Sequence, residues 1–382
     1  MTKSVYISFL DEKRLSGYRK KIHGQCEALN TGDNLCYLIT VSGNDVVQYN
    51  FKTGEKTTLF SYQNRIFDKK NIIDEFRLFS KFTRICFDRI KKIAPDLIYI
   101  RRIIPITFAL LNLLSNLRKS FTNTKIIYEY PTYPWEKELL SEKKYLFYII
   151  DRLLFKHLEN RVDKIVVVGS SLTLGSKYLN INNAISLEQF NFQESPKKVN
   201  SQLNLISVAN FNIFHGIDRL LEGLSLYVSN NPNITVNIHL VGPIADSLGI
   251  QGIIEKHRLE KYVNIHGYLE GEKLEEVFAT SDLAVGCLGV HRKGVLSLNS
   301  LKNREYCARG LPFIFSEKDD AIEKHEPTFI FKVPFDDSPI DIKSVVDFYE
   351  KLNLNQEQIR NFASEHLSWG NEMRKVLETV GY

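Results

Sequence analysis

Two hydrophobic periods take turns along the chain. Short runs rich in Val, Ile, Leu and Tyr, at Val5–Leu10, Leu35–Val41, Leu97–Ile100, Lys125–Tyr128 and Lys164–Val168, predict strands. Between them, apolar residues recur every three or four positions over Arg19–Leu29, Ile72–Ile93, Ile106–Leu117 and Lys144–Arg161, which predicts helices. Val46–Tyr62 departs from this rhythm: Lys52-Thr53-Gly54-Glu55 separates two alternating segments, the pattern of a β-hairpin. The polar stretch Glu194–Gln202 reads as a linker. Strand runs then resume at Leu203–Val208, Thr235–Val241, Val263–His266, Leu283–Cys287 and Phe313–Phe315, again spaced by helices. Strands separated by helices make βαβ units with parallel strands. The predicted class is α/β, with two successive doubly wound domains at 1–195 and 196–362.

In sheets of this kind ligands bind beyond the carboxyl ends of the strands. The residues to watch in the first half are therefore Ser16-Gly17, Arg101-Arg102, Glu129–Pro134 and Gly169–Ser171. In the second half they are Asn210–Gly216, Gly242-Pro243, Gly267-Tyr268, Gly286–Gly294 and Ser316–Asp319. No G-x-G-x-x-G follows the first strand, and no G-x-x-x-x-G-K-[ST] occurs, so a dinucleotide dehydrogenase or a P-loop ATPase lacks its main signature.

Composition narrows the setting. At 382 residues with 43% hydrophobic and 25% charged positions, the chain has the profile of a globular protein. The uncharged run Ile103–Leu117 is shorter than the ~20 residues of a membrane-spanning helix. Asp11 and Glu12 follow the first strand directly, so no signal peptide is expected. The five cysteines are scattered and odd in number, which argues for a reducing cytosol over a disulfide framework or a zinc site. Residues 1–195 carry 30 Lys+Arg against 20 Asp+Glu, while the remainder carries 20 against 25. That asymmetry leaves two readings: a first half that faces an anionic partner, or a solvated basic surface.

Five segments of the second half share one pattern: Phe214–Leu224, Leu240–Pro243, Val263–Leu269, Ser281–Val285 and Leu301–Pro312. In this order and spacing they resemble the nucleotide-sugar domain of family 4 glycosyltransferases, which have the GT-B fold. Glu129–Pro134 resembles a block in bacterial polysaccharide-assembly members, and Leu367–Met373 resembles the start of their last helix. The resemblance implies two Rossmann-like domains facing each other across a cleft. Residues 1–195 would bind the acceptor, 196–362 the nucleotide sugar, and 363–382 would form a helix crossing back to the first domain. It further implies a retaining, metal-independent transferase without a protein cofactor. The donor would be a nucleoside-diphosphate sugar, most often UDP-linked, and the acceptor a glycan or lipid-linked glycan of surface polysaccharide. The site of action would be the cytoplasm or its membrane face. The absence of Asp-x-Asp agrees with that mode, and no nucleophile is nominated.

Carried over residue by residue, Glu305 is expected to accept the ribose hydroxyls, as an ionised carboxylate can. Lys302, at i−3 on the same helix side, either reaches a diphosphate oxygen or is a solvated lysine. His291, Arg292 and Lys293 either grip the donor or form an ordinary basic loop. Gly216, Gly242 and Gly267 let backbone approach the nucleotide. Ser16-Gly17 stands where a glycine-rich loop follows the first strand. The sequence also departs from the family. Asn210 and His215 occupy the usual Arg and Lys positions of the diphosphate grip, and Ser297 replaces the first glutamate of a pair that holds the donor sugar. Glu129 stands where relatives have an acceptor-side histidine. It either orients or deprotonates an acceptor hydroxyl, or is a strand-end residue bonding its neighbours.

Phe76–Ile93 places apolar residues on one helical face and Arg77, Lys81, Arg84, Arg89, Lys91 and Lys92 around it. With Arg19-Lys20-Lys21 it could lie on an anionic membrane, or pack its stripe on a sheet. No nucleic-acid module is present. Three rivals to a transferase stand: a non-catalytic partner subunit of the same fold, a UDP-sugar epimerase, and a nicotinamide oxidoreductase.

Overall fold

The computed structural model describes all residues except 1, 14–15, 63–71, 132–134, 142–143, 170–174, 194–200, 295 and 354; the predicted linker at 194–200 thus lies outside the described residues. The chain forms two compact units. One comprises Met1–Asn183 with Trp369–Tyr382, the other Ala184–Ser368.

The first unit contains β1 (Lys3–Asp11), α1 (Ser16–Leu29), β2 (Leu35–Ser42), β3 (Asp45–Asn50), β4 (Lys56–Ser61), α2 (Ile72–Ile93) and β5 (Leu97–Arg101). These are followed by α3 (Phe108–Ser120), β6 (Lys125–Tyr130), α4 (Trp135–Ser141), α5 (Tyr145–Glu159), β7 (Lys164–Val168) and β8 (Tyr178–Ile181). The sheet order is β4-β3-β2-β1-β5-β6-β7-β8. The predicted hairpin forms as β3 and β4, antiparallel to each other and to β2, and the remaining strands run parallel.

The apolar run 103–117 becomes a turn and a core helix. Thr107 caps α3 by accepting the Leu110 N–H at 3.2 Å, and Leu110, Leu113, Leu114 and Leu117 pack inward. In α2, Phe79, Phe82, Cys86 and Ile90 are buried in the same core, so its apolar stripe covers the sheet and is not free for a membrane. Lys21, expected in a basic surface patch, is buried. The α2 stripe packs there because an apolar stripe beside a sheet is removed from water most cheaply on it. Lys21, by contrast, is drawn in by Asn183 and Glu129. Among the described residues no helix is long and apolar enough to cross a membrane.

The second unit contains β9 (Gln202–Val208), α6 (Ile217–Ser229), β10 (Thr235–Val241), α7 (Ile250–His257), β11 (Val263–Gly267), α8 (Glu272–Ala279) and β12 (Leu283–Val285). Then come α9 (Leu301–Arg309), β13 (Phe313–Phe315), α10 (Asp320–Glu323), β14 (Ile330–Lys332), α11 (Ile342–Lys351) and α12 (Gln356–His366). All six strands are parallel, in the order β11-β10-β9-β12-β13-β14. One core cluster unites the sheet with α6, α7 and α11, and another unites it with α8, α9 and α12, so helices cover both faces.

The unit boundaries fall at 183–184 and 368–369, not at 195–196 and 362–363. Residues 184–193 stay with the second unit because Ile185 and Phe190 enter its core and Gln193 donates its N–H to the Arg309 carbonyl at 2.9 Å. At the other end Ala363 and Leu367 are buried there too, and Ile185 bridges Ser368. The last helix, α13 (Trp369–Thr379), belongs to the first unit: it packs on α1, and its buried Glu372 accepts the Asn182 N–H at 3.2 Å.

Candidate functional site

In each sheet the winding direction reverses between two neighbouring strands, β1 and β5 in the first unit and β9 and β12 in the second. Loops leaving such a pair diverge and open a crevice at the carboxyl ends.

In the second unit that crevice begins after β9. Asn210 is exposed, and the Phe211 N–H bonds the Pro243 carbonyl at 2.8 Å. The single turn Ile213–His215 is self-capped: Asn212 accepts from the Phe214 N–H, and its own N–H donates to His215 Nδ1 at 3.0 Å. That bond assigns the neutral tautomer with hydrogen on Nε2. Burial, then the charges of Lys302 and Lys293, push the His215 pKa down to about 3. His215 is therefore neutral and keeps an N–H donor on Nε2.

The turn is held by the loop after β12, where the Leu288 and Gly289 N–H groups bond the His215 and Phe214 carbonyls, both at 3.1 Å. The two backbones approach so closely that a Cβ on Gly216 (φ 64°) would lie 2.8 Å from Gly289 N. Gly242 is required for a similar reason, because a Cβ there would lie 1.9 Å from the Ala209 carbonyl oxygen. Gly267 differs: it has φ 67°, and a Cβ would meet nothing within 4 Å, so its backbone borders open space.

Lys302 enters from the first turn of α9. Its Nζ is buried and has no hydrogen-bond partner among the described residues. Burial lowers its pKa against the pull of Cys287, Glu317 and Glu305. Below it, fully buried Glu317 accepts from Asn303 Nδ2 at 3.3 Å through one oxygen, while its other oxygen and Asn303 Oδ1 are buried without partners among the described residues. Burial pushes the Glu317 pKa up to about 7. A buried cation and two buried acceptors left unpaired are costly in an apoprotein, which normally pairs such groups. Lys293 faces the same region: its Nζ lies 3.3 Å from the centroid of the Phe214 ring, and its charge reaches His215 and Cys287.

The framework around this cluster is tied together by buried polar bonds. Buried Arg304 forms a two-pronged salt bridge with Asp319 and also donates to Asn299 Oδ1 and the Ser300 carbonyl, tying the start of α9 to the loop after β13. Ser297 forms a parallel bridge with Lys318. Glu305 lies one turn along α9, partly exposed, and shares Arg309 with Glu275 at 2.7–3.0 Å.

Two residues nominated from the sequence, Arg292 and His291, bond elsewhere, although His291 Nδ1 is buried without a hydrogen-bond partner among the described residues. The Arg292 guanidinium binds both Asp218 oxygens at 2.7 and 2.9 Å and Asp337 at 2.7 Å. These hydrogen bonds, with Asp218 foremost, raise its pKa. Arg292 is thus a brace between the 290–294 turn and α6. His291 pairs through Nε2 with the same Asp337 at 2.9 Å.

In the first unit, Glu129 near the end of β6 has no exposed surface. It accepts from Gln25 at 2.6 Å, Tyr99 at 2.7 Å and Arg101 at 2.7 Å, and Lys21 Nζ stands 4.0 Å away. Burial alone would raise its pKa; Lys21 and Arg101, with the Tyr99 and Gln25 hydrogen bonds, reverse that and lower it. This carboxylate is a strand-end residue bonding its neighbours, with both oxygens already taken. Burial pushes the Lys21 pKa down to about 7; its Nζ donates to Asn183 Oδ1 at 3.0 Å. Ser16 and Gly17 form the first turn of α1 instead of a loop. Residues 132–134 and 170–171 of the predicted strand-end segments lie outside the described residues.

Glu317 was not singled out from the sequence, although it lies within the strand-end stretch Ser316–Asp319. The available signal was position: an acidic residue directly after the strand beside the switch-point pair.

No protein-family model matches the chain, and no curated protein does. Solved structures do. A sucrose-phosphate synthase from Thermosynechococcus elongatus superposes with a TM-score of 0.63 at 14% identity, covering 100% of this chain and 99% of that one. A glycosyltransferase from Rickettsia africae ESF-5 gives 0.60 at 16% identity, over 99% and 97%. The apo form of the lipopolysaccharide outer core galactosyltransferase WaaB gives 0.56 at 12% identity, over 99% of both. At these identities the likeness is one of fold, and the fold is GT-B.

Proposed function

We propose that the second unit binds a nucleoside-diphosphate sugar and that the chain is a glycosyltransferase, passing the sugar to a glycan or lipid-linked acceptor of surface polysaccharide with retention of configuration. The observation that carries this reading is Lys302, whose buried ammonium group has no hydrogen-bond partner among the described residues. A dianionic diphosphate would complete it. Lys293 adds a second positive charge and the His215 Nε2–H a neutral donor. Breaking a sugar–phosphate bond builds negative charge on the leaving diphosphate, and donors fixed in advance around it lower the barrier most. Side-chain charge takes the role a divalent cation has in metal-dependent sugar transfer. Glu305 accepts the ribose hydroxyls through the carboxylate that Arg309 orients. UDP is the favoured carrier, and the cytoplasm, or its membrane face, the favoured setting.

Lys302→Met tests the reading in two directions at once. Affinity for UDP or another nucleoside diphosphate, by calorimetry without added metal, is expected to fall about a hundredfold, as when one partner of a buried charged contact is removed. The unliganded variant is expected to melt at or above the wild-type temperature, since an unpaired buried charge has been removed. Unchanged affinity for every nucleoside diphosphate in a folded variant overturns the assignment.

A second reading has its own support in sealed Glu129 and committed Arg292: a non-catalytic partner subunit of this fold. It is expected to transfer sugar from no nucleotide sugar until a companion chain is added.

A further inference from the structure

The apolar stripe of α2 is spent on the core, but α5 carries an apolar stripe that is not. One side of α5 packs on the first unit's core through Asp151 and Leu158, with Phe147, Leu154 and Phe155 partly buried beside them. The other side presents Tyr145, Leu146, Ile149 and Leu153 to solvent, each more than half exposed, with Leu153 at 70%. Positions i, i+1, i+4 and i+8 form one continuous stripe of a helix. Isolated exposed leucines are ordinary, whereas a stripe of four large apolar side chains marks a surface that is covered in use.

The stripe does not stand alone. A cleft of about 320 Å³ opens where α5 begins, lined by apolar side chains including Phe9, Phe76, Phe79 and Phe147, with Lys144 at its edge. Ile104 lines the same cleft and is itself exposed, and Phe108, at the start of α3, is 73% exposed. Exposed Arg152 and Lys156 follow the stripe along one border of α5, where Lys156 pairs with Glu159 at 2.7 Å and Arg152 donates to the Tyr148 hydroxyl at 2.9 Å. The basic side of α2, with Arg77, Lys81 and Arg84, borders a second surface depression that shares Phe76 with the cleft. The charge of the whole unit agrees: it carries 32 Lys+Arg against 20 Asp+Glu, whereas the second unit carries 18 against 25.

We propose that the α5 stripe inserts into the interfacial layer of an anionic lipid bilayer, with the first unit's basic residues resting on the headgroups. At 15 residues, α5 is about 22 Å long and cannot span a ~30 Å hydrocarbon core, so it lies in the membrane plane. An anionic surface is the occupant that satisfies both features, because apolar area drives insertion and each nearby Lys or Arg adds attraction to acidic headgroups. The inference deepens the membrane-face setting proposed above, and its test does not depend on sugar transfer.

The experiment is sedimentation of the full chain with vesicles of phosphatidylcholine, with and without phosphatidylglycerol. The wild type is expected to bind the acidic vesicles and to bind the neutral ones at least about tenfold more weakly. Leu146→Glu with Leu153→Glu changes exposed positions, so the fold should survive; vesicle affinity is expected to drop more than about tenfold. Arg152→Gln and Lys156→Gln are expected to cost about fivefold each at low salt. Equal binding by the double-glutamate variant overturns the proposal, as does wild-type protein that ignores both vesicle types. So does a wild-type dimer that the glutamates convert to monomer, since the occupant is then a second copy. Nucleotide binding measured on the same variants should be unchanged, and Lys302→Met should keep vesicle affinity, which separates failure of this proposal from failure of the donor site.

Discussion

Both units place buried charge at the carboxyl ends of a doubly wound sheet, and they treat it in opposite ways. In the first, Glu129 is surrounded by Gln25, Tyr99, Arg101 and Lys21, and its carboxylate is held ionised. In the second, Lys302 Nζ, one oxygen of Glu317 and Asn303 Oδ1 are buried with no hydrogen-bond partners among the described residues. A saturated network stabilises its own fold and has little to offer a ligand. An unsaturated one burdens the apoprotein and is relieved by whatever supplies the missing charge. The position of a charge near a strand end therefore does not by itself single out a binding residue; its remaining hydrogen-bonding capacity is a further test.

The sharpest way to break the contrast is Glu129→Gln. The substitution keeps shape but leaves Arg101 and Lys21 buried without a counter-charge, which should cost about 3–5 kcal/mol. For a unit of this size that is a fall of about 10 °C in its melting transition. A loss under about 1 kcal/mol would mean the network is not saturated in the sense argued here. Lys302→Met comes next, with no loss of stability and a possible gain of about 1–3 kcal/mol before nucleotide is added.

Titration sharpens the comparison further. Glu317 has a folded pKa of about 7, raised above the 4.5 of an unperturbed glutamate, so between those values the native state binds more protons than the unfolded one. Its contribution to stability is therefore present at low pH and lost as pH rises from about 4.5 through 7. Lys21 behaves in reverse, with a folded pKa of about 7 below 10.5. Across that window the unfolded state binds more protons, and stability rises with pH. His215, lowered to about 3 from 6.5, also adds stability as pH rises through its window. The Glu317 contribution must accordingly be read as the difference between wild type and Glu317→Gln in urea denaturation. The variant is expected to gain on the wild type as pH increases towards 8, and a flat difference would place the Glu317 proton elsewhere.

The smallest effect is expected from Arg292→Gln. Because that guanidinium is committed to Asp218 and Asp337, nucleotide affinity should change less than about threefold, while stability drops by about 1 kcal/mol for a largely surface network. A loss in affinity as large as that of Lys302→Met would return Arg292 to the donor site.

Much of this architecture was legible before any coordinates. The alternation of period-two and period-3.6 runs announced parallel α/β units, because hydrophobic spacing is local and survives without knowledge of partners. The hairpin at β3–β4 was readable for the same reason. Short elements escaped: β8, α4 and β14 are too brief or too irregular to hold a period. The unit boundaries escaped because the polar stretch near residue 195 follows, and does not precede, the segment that joins the second core through Ile185 and Phe190. Glu305 was visible only through the resemblance of Leu301–Pro312 to a family segment, and Lys302 by its three-residue offset from it on one helix face.

What the sequence determined by itself is what depends on neighbours along the chain: the class of fold, the strand ends where chemistry can occur, and the helix that carries Lys302. Which of several charged residues remain unspent was decided only by tertiary structure. Arg292 finds Asp218 across 74 positions, and Glu129 finds Gln25 across 104. Such pairings arise when strands and helices bring distant residues within 3 Å. A charge that is paired there and one that is not look alike in the sequence, because burial and hydrogen bonding are properties of the packed interior and not of residue type.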